Sequence, residues 1–271
     1  STWPLNIGQV YTTLSRLERD GLVRSLPEGD AGQRPYELTD AGRPFVRDNC
    51  YTGGIDAHAA WGWVVRRNRI SGFWCPAGLS EHAIHFWNAS RDTLVEENVI
   101  VDCARGIGFG LLEVSGDRAY PDDPYPGVGY LGHIDGVIRN NFIAAADPDL
   151  LQSDSGFDAG IALEQSRNTW VMHNSVASTA APFSSIEWRF ANTLVQLVNN
   201  LVSHNLRERD GNPQEVLAGN LAAAPASWSL HDVSHIGLST SFATEEDEDD
   251  AAIVSPPARP PKSMRRRHSP W

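Results

Sequence analysis

Glu164 and Glu187, with Arg105 and Arg189, are the residues of this chain best suited to acid–base chemistry. A group that cleaves a glycosidic bond by hydrolysis needs two carboxyl groups about 5 Å or about 6.5–9.5 Å apart. Such closeness raises the pKa of one of them and poises it as an acid. An eliminating enzyme needs a cation to neutralise a substrate carboxylate and a base for the α-proton. Arginines are present for both roles, whereas the single lysine, Lys262, falls in the C-terminal tail. The simplest competing reading is a surface ion pair between Arg189 and Glu164 or Glu187. Asp56, His58, His85 and Trp87 add hydrogen-bonding and aromatic groups that suit substrate contact.

Other spacings point elsewhere. His82-x-x-His85 invites a metal reading, but on a strand residues three apart face opposite ways. Shared ligation is therefore not expected, and no metal ligand is assigned. Gly106-x-Gly108-x-Gly110 has neither a following helix nor the third spacing of a dinucleotide loop. Neither a G-x-S-x-G elbow nor a Walker sequence occurs. Three cysteines, Cys50, Cys75 and Cys103, lack C-x-x-C spacing and leave an odd count. They imply neither structural zinc nor a complete disulfide framework, and Cys103 is expected as a packed free thiol.

Bringing Asp56 and Arg189 onto one surface requires a repeat. Five segments end alike: WVVRRN at Asn68, LVEEN at Asn98, VIRNN at Asn141, WVMHN at Asn174 and LVNN at Asn200. Each asparagine follows an isoleucine (Ile55, Ile84, Ile107, Ile161, Ile186) by thirteen or fourteen residues, except where an insertion after Gly110 delays Asn141. An irregular period of roughly 23–35 residues marks a solenoid. Short strands closed by a repeated Asn predict a right-handed parallel β-helix with an asparagine ladder along one corner. Alternation then places Ile55/Ala57, Ile84/Phe86, Ile107/Phe109, Ile161/Leu163 and Ile186/Trp188 inward. It places Asp56/His58, His85/Trp87, Gly108/Gly110, Ala162/Glu164 and Glu187/Arg189 outward, with the glycines as a floor that a ligand approaches closely. The insertion, rich in tyrosine and proline and including Tyr125, is expected as a wall beside this groove. LAGNLAAAPAS, around Asn220, reads as a sixth, weaker coil.

The first 47 residues follow another pattern. Ile7, Val10, Tyr11, Leu14 and Leu17 lie at helical spacing, with Gly21 as the stop after the helix. Leu22-Val23 opens a strand, RPYEL returns as a second, and Thr39 caps a new helix. Helix, hairpin, helix is the order of a winged helix. G-Q-V-Y-T-T-L-x-R-L-E-R-D-G-L-V followed by R-P-Y-E-L-T-D-A-G-R resembles the PadR family of winged-helix transcriptional regulators. The resemblance implies that Gln9, Thr12, Thr13 and Arg16 face DNA, with Arg34 on the wing. It also leaves the segment truncated: the helices that precede this one in the family, and its C-terminal dimerisation helix, are missing. Six arginines balance six acids here, without the basic footprint of a DNA-binding domain.

Residues 50–240 resemble bacterial pectate-lyase-like β-helix proteins, on IDAHAAWGWVVRRN, SEHAIHFWNASRDTLVEENVI and RGIGFG. That resemblance implies a carbohydrate-active or carbohydrate-binding protein of the polysaccharide lyase or glycoside hydrolase type, with Ca²⁺ added if it is a lyase. The expected class is thus mainly β: residues 1–47 a partial winged-helix α/β segment, 48–240 the β-helix, and 241–271 a disordered tail, acidic and then rich in proline and arginine. The alternatives are a DNA-binding regulator fused to a β-helix sensor, or a non-catalytic fusion of two gene fragments. Most of the formal charge of −12 falls on the repeat region, which disfavours nucleic acid and acidic membranes there and suits a polysaccharide partner. No membrane span or signal peptide is visible. Extracellular or periplasmic residence would follow from an export signal upstream of Ser1, and cytoplasmic residence from a native winged-helix start.

Overall fold

The computed structural model describes residues 15–25, 27, 36–41, 50, 53–111, 122–210 and 215–222. Between Ile55 and Ala222 the described residues wind into a parallel β-helix with three sheets. The first holds Ile55–His58, His82–Trp87, Arg105–Phe109, Ala159–Glu164, Ser184–Arg189 and Leu206–Glu208, stacked in chain order. The second is built around Val64–Arg66, Leu94–Glu96, Val137–Arg139, Ser166–Met172, Leu194–Val198 and Glu215–Ala218. The third holds Arg69–Ser71, Val99–Val101, Phe142–Ala145, Ser175–Ser178, Leu201–Val202 and Leu221–Ala222. Each strand pairs in parallel with the coils before and after it, as in a one-dimensional stack.

The isoleucine register is the one expected from the sequence. Ile55, Ile84, Ile107, Ile161 and Ile186 align, and Leu206 continues the column. Ile84, Ile107, Ile161 and Ile186 are fully buried, as are Phe86, Phe109 and Leu163 two residues on. Valines and isoleucines of the other two sheets (Val95, Ile138 and Val171; Ile100, Ile143 and Val176) close the core from their sides.

The corner between the second and third sheets carries the asparagine ladder. Asn68 Nδ2 donates to Asn98 Oδ1 at 2.9 Å, Asn98 to Asn141 at 2.9 Å, Asn141 to Asn174 at 2.9 Å, Asn174 to Asn200 at 3.0 Å and Asn200 to Asn220 at 2.9 Å. Each acceptor oxygen also takes the backbone N–H of the preceding rung, at 2.9–3.1 Å. The residue before each of the five expected asparagines is left-handed: Arg67, Glu97, Asn140, His173 and Asn199 have φ of 53–58°. That turn aims the next side chain inward. Asn220 proves to be a full sixth rung.

Alternation fails at one place on the first sheet, where a column of small residues turns the corner. Bridges run from Arg105↔Ala159 directly to Ile107↔Ile161, skipping Gly106 and Gly160. A Cβ on Gly160 would lie 2.4 Å from Val176 Cγ1, and one on Gly106 would lie 2.1 Å from Gly160 O, so this column faces the packed interior. The side chains before it therefore emerge on the outer face. Ser184 and Glu187, three apart, are hydrogen-bonded at 2.7 Å, and the rings of His82 and His85 lie 4.4 Å apart. The expectation that His82 and His85 face opposite ways is corrected by this break in phase.

Cys103 is a buried free thiol, as expected, its pKa pushed up to about 12 by burial. Cys50 and Cys75, which the odd count left unassigned, form a disulfide. Ahead of the coils, residues 15–19 are helical and end in a Schellman turn: Leu22 N–H bonds Leu17 O, and Gly21 N–H bonds Glu18 O, with Gly21 at φ 72°. Val23–Ser25 pairs antiparallel with Tyr36–Leu38. The Thr39 hydroxyl donates to Gly21 O, tying the hairpin to the end of the helix. The helix expected after Thr39, the side chains of Gln9, Thr12, Thr13 and Arg34, and the tail beyond 222 lie outside the described residues. No helix among the described residues is long and apolar enough to cross a membrane.

Candidate active site

On the outer face of the first sheet, the coils from His82 to Arg209 line a cavity of about 260 Å³. Glu164, Glu187, Arg189 and Arg105 all line it, with His82, Asp158 and Arg209; Leu79, Ala162 and Phe183 supply its apolar wall. Register explains the gathering. Ala162 pairs with Glu187 and Glu164 with Arg189, so the two glutamates are diagonal neighbours, with Cα atoms about 8 Å apart from strand spacing and rise.

Every arginine in the wall holds an acid. Arg189 Nη2 meets Glu164 Oε1 at 2.7 Å, Arg209 Nη1 meets Glu187 Oε1 at 2.8 Å, and Arg105 Nε meets Asp158 Oδ2 at 2.9 Å. The ion pair between Arg189 and Glu164 is thus real, and it coexists with the cavity. The glutamates nevertheless differ. Glu187 accepts hydrogen bonds at both oxygens, the second from Ser184 Oγ at 2.7 Å. Glu164 is 8% exposed, and its Oε2 is buried without a hydrogen-bond partner. Burial pushes the Glu164 pKa up, against the charge and hydrogen bond of Arg189, and nearby Glu187 adds to the rise.

Sequence reasoning missed Asp158, Arg209 and His82. Asp158 immediately precedes its strand and hangs from Ala104 O by a 2.8 Å backbone bond, behind the buried Phe157. Its place over Arg105 comes from an insertion carrying the one-turn helix Pro148–Leu151, which alternation does not cover. Arg209 belongs to a coil without an isoleucine; aligning Leu206 with Ile186 would have found it. His82 was hidden by the phase break. Its ring lies over Gly108, where an added Cβ would fall 2.8 Å from Nε2. The expected glycine floor is therefore covered by an imidazole at this position.

The remaining expected contacts separate from the cavity. His85 is fully buried: Nε2 bonds Gly110 O at 3.0 Å, and the ring stacks on Trp87 at 5.5 Å. Trp87 Nε1 donates to Asp56 Oδ1 at 2.6 Å, and His58 packs edge-on against Trp87 at 4.1 Å. These four residues form a knitted patch on the first two coils, outside the cavity wall. Tyr125 lies on the second-sheet side, donating to Asp135 Oδ1 at 2.6 Å with Arg167 over its ring. The described part of the insertion is therefore not a wall of this cavity. Arg91 explains the difference, since it holds Asp122 at 3.1 Å from the neighbouring corner. Arg16 sits exposed on the N-terminal helix.

Glu81, His82 and His85 bring donor atoms within 4.8 Å of one another beside the cavity. Burial, and then the neighbouring His85, lower the His82 pKa to about 3. Burial raises the Glu81 pKa, but hydrogen bonds and charge from the two histidines outweigh it and hold the carboxyl well below its usual range.

No curated protein matches the chain, and no solved structure matches it. Residues 1–48 match the family model of the transcriptional regulator PadR-like family.

Proposed function

We propose that the β-helix is a carbohydrate-active module of the glycoside hydrolase type, cleaving a polysaccharide at the Glu164–Glu187 cavity. The observation that carries this reading is the asymmetry of the two carboxyls. Glu164, buried with one oxygen free of hydrogen bonds and its pKa raised, suits the general acid that protonates a glycosidic oxygen. Glu187, held at both oxygens by Arg209 and Ser184, suits the carboxylate that activates water or attacks the sugar. Their diagonal placement is compatible with the separations such pairs require. Elimination fits less well, because Arg105, Arg189 and Arg209 are each committed to an acid and none is free as a base. The pectate-lyase-like resemblance supports a glycan ligand without choosing the reaction. The cavity is charge-balanced, which favours a neutral or weakly acidic chain, with Phe183 and Leu79 against the apolar face of a sugar.

The test is product analysis on a panel of neutral and uronic-acid polysaccharides, with and without calcium. New reducing ends without unsaturated product are expected, with turnover reduced at least about 100-fold in Glu164→Gln. Unsaturated product would replace hydrolysis by elimination, and no cleavage across the panel would sink the reading. A second reading, operator binding by the N-terminal segment through Gln9, Thr12, Thr13, Arg16 and Arg34, is favoured by the family match over residues 1–48.

A further inference from the structure

Glu81, His82 and His85 take no part in the hydrolytic reading, yet their arrangement calls for a ligand. Glu81 Oε1 lies 2.7 Å from His82 Nδ1 and 3.1 Å from His85 Nδ1, and it also accepts the backbone N–H of His82 at 2.9 Å. At His85 the proton is located by its partner. Nε2 faces Gly110 O at 3.0 Å, and a carbonyl only accepts, so Nε2 carries the hydrogen. In a neutral ring Nδ1 is then a lone pair. It is buried, and it looks directly at the Glu81 carboxylate oxygen at 3.1 Å. Two acceptors facing each other away from water are costly unless a cation lies between them. A divalent metal removes the conflict at once, meeting both Nδ1 lone pairs and the carboxylate.

The surroundings are those of a metal site. A ligating histidine usually donates its other ring N–H to a carbonyl or carboxylate, which is what His85 does with Gly110. The stack on Trp87, itself anchored to Asp56, fixes the plane of His85. Gly108 leaves room for the ring of His82. Two imidazole nitrogens and one carboxylate oxygen match borderline first-row ions and not the all-oxygen shells of Ca²⁺ or Mg²⁺.

We propose that Glu81, His82 Nδ1 and His85 Nδ1 bind one divalent transition metal ion of the Zn²⁺ class, with a fourth position left for water or another ligand. Binding displaces any Nδ1 proton to solvent and widens the 2.7 Å contact towards the roughly 3.3 Å that separates ligands in a tetrahedral zinc shell. The sequence E-H-x-x-H forms such a site on a strand only because the phase break turns His82 outward.

The test uses the full chain, stripped with a chelator and titrated with Zn²⁺ by calorimetry and with Co²⁺ by visible absorption. Expected are one tight equivalent, intense tetrahedral Co²⁺ bands, and at least about tenfold weaker binding in Glu81→Gln and in His85→Gln. His204→Ala, remote from the cluster, leaves binding unchanged. Circular dichroism of the metal-free variants checks their fold. Where either is unfolded, zinc-edge X-ray absorption of the wild type decides, through two imidazoles and one carboxylate. Absence of stoichiometric binding, persistence in both folded variants, or a sulfur-containing shell overturns the proposal. Because metal content is read directly, this outcome is independent of whether any polysaccharide is cleaved.

Discussion

Glu164 is held between opposing forces: burial favours its neutral form, and Arg189 at 2.7 Å favours the anion. Removing the arginine leaves burial and nearby Glu187 opposed only by the more weakly acting Arg105. Arg189→Met should therefore raise the Glu164 pKa further and cost about 1–3 kcal/mol, a range reduced from that of fully buried pairs because Arg189 is partly exposed. Chemical denaturation near neutral pH measures the cost, and an unchanged midpoint would show that the pair is energetically idle. His133 illustrates a buried base. Its ring stacks on Phe109 at 4.0 Å and bonds Thr93 Oγ1, and burial lowers its pKa to about 3. The sign follows from proton uptake: below about pH 6.5 the unfolded chain binds a proton that the folded one refuses. Stability is thus present above that pH and lost as pH falls towards about 3, by up to about 1.4 kcal/mol per pH unit. His133→Phe keeps a ring and abolishes the titration, so its unfolding free energy should depend less steeply on pH between about 6 and 3. Equal slopes in the two proteins would contradict a neutral, buried His133.

At the scale of elements, the asparagine ladder separates end rungs from interior ones. Asn141 accepts from Asn98 N and Nδ2 and donates to Val95 O and Asn174 Oδ1, all buried. Asn141→Ala orphans several of these groups together and should destabilise by about 3–5 kcal/mol. Asn68, half-buried at the first rung, donates but receives no rung above it, and Asn68→Ala should cost about 1 kcal/mol. Thermal melts of the two variants check this, and equal losses would mean that the ladder is not a cooperative stack. The ladder and the isoleucine columns were legible because both depend on local spacing that repeats. The small-residue corner was not. Nothing in Gly106 or Gly160 as letters says that both Cβ directions point into packed neighbours, and this shift is what unites His82 with His85 and Ser184 with Glu187.

For the whole molecule, the strongest tension is between an acidic chain, −12 overall, and an N-terminal match to a transcriptional-regulator family. Charge repulsion weakens any duplex binding, whose salt dependence scales with the number of phosphates that arginines contact. Fluorescence anisotropy of the full chain with a palindromic duplex at low ionic strength should detect binding that Arg16→Ala weakens, reducing the log–log salt slope by about 1. No binding at low salt removes the operator reading.

Periodicity was enough to settle the architecture. Thirteen or fourteen residues from isoleucine to asparagine recur in four of the five coils, and stacking them leaves one register that turns the isoleucine column inward. From that register, Glu164, Glu187 and Arg189 were expected on one face with Asp56, His58, His85 and Trp87; the first three line a cavity with Arg105, and the other four stand apart from it. The tertiary structure decided what surrounds them. The one-turn helix Pro148–Leu151 precedes Asp158 in an insertion outside the repeat, a coil lacking isoleucine brings Arg209, and the first two coils knit Asp56, His58, His85 and Trp87 into a patch of their own. Those positions depend on contacts between residues far apart in the chain. A repeat encodes how each coil resembles the next, whereas a site is made where the coils differ.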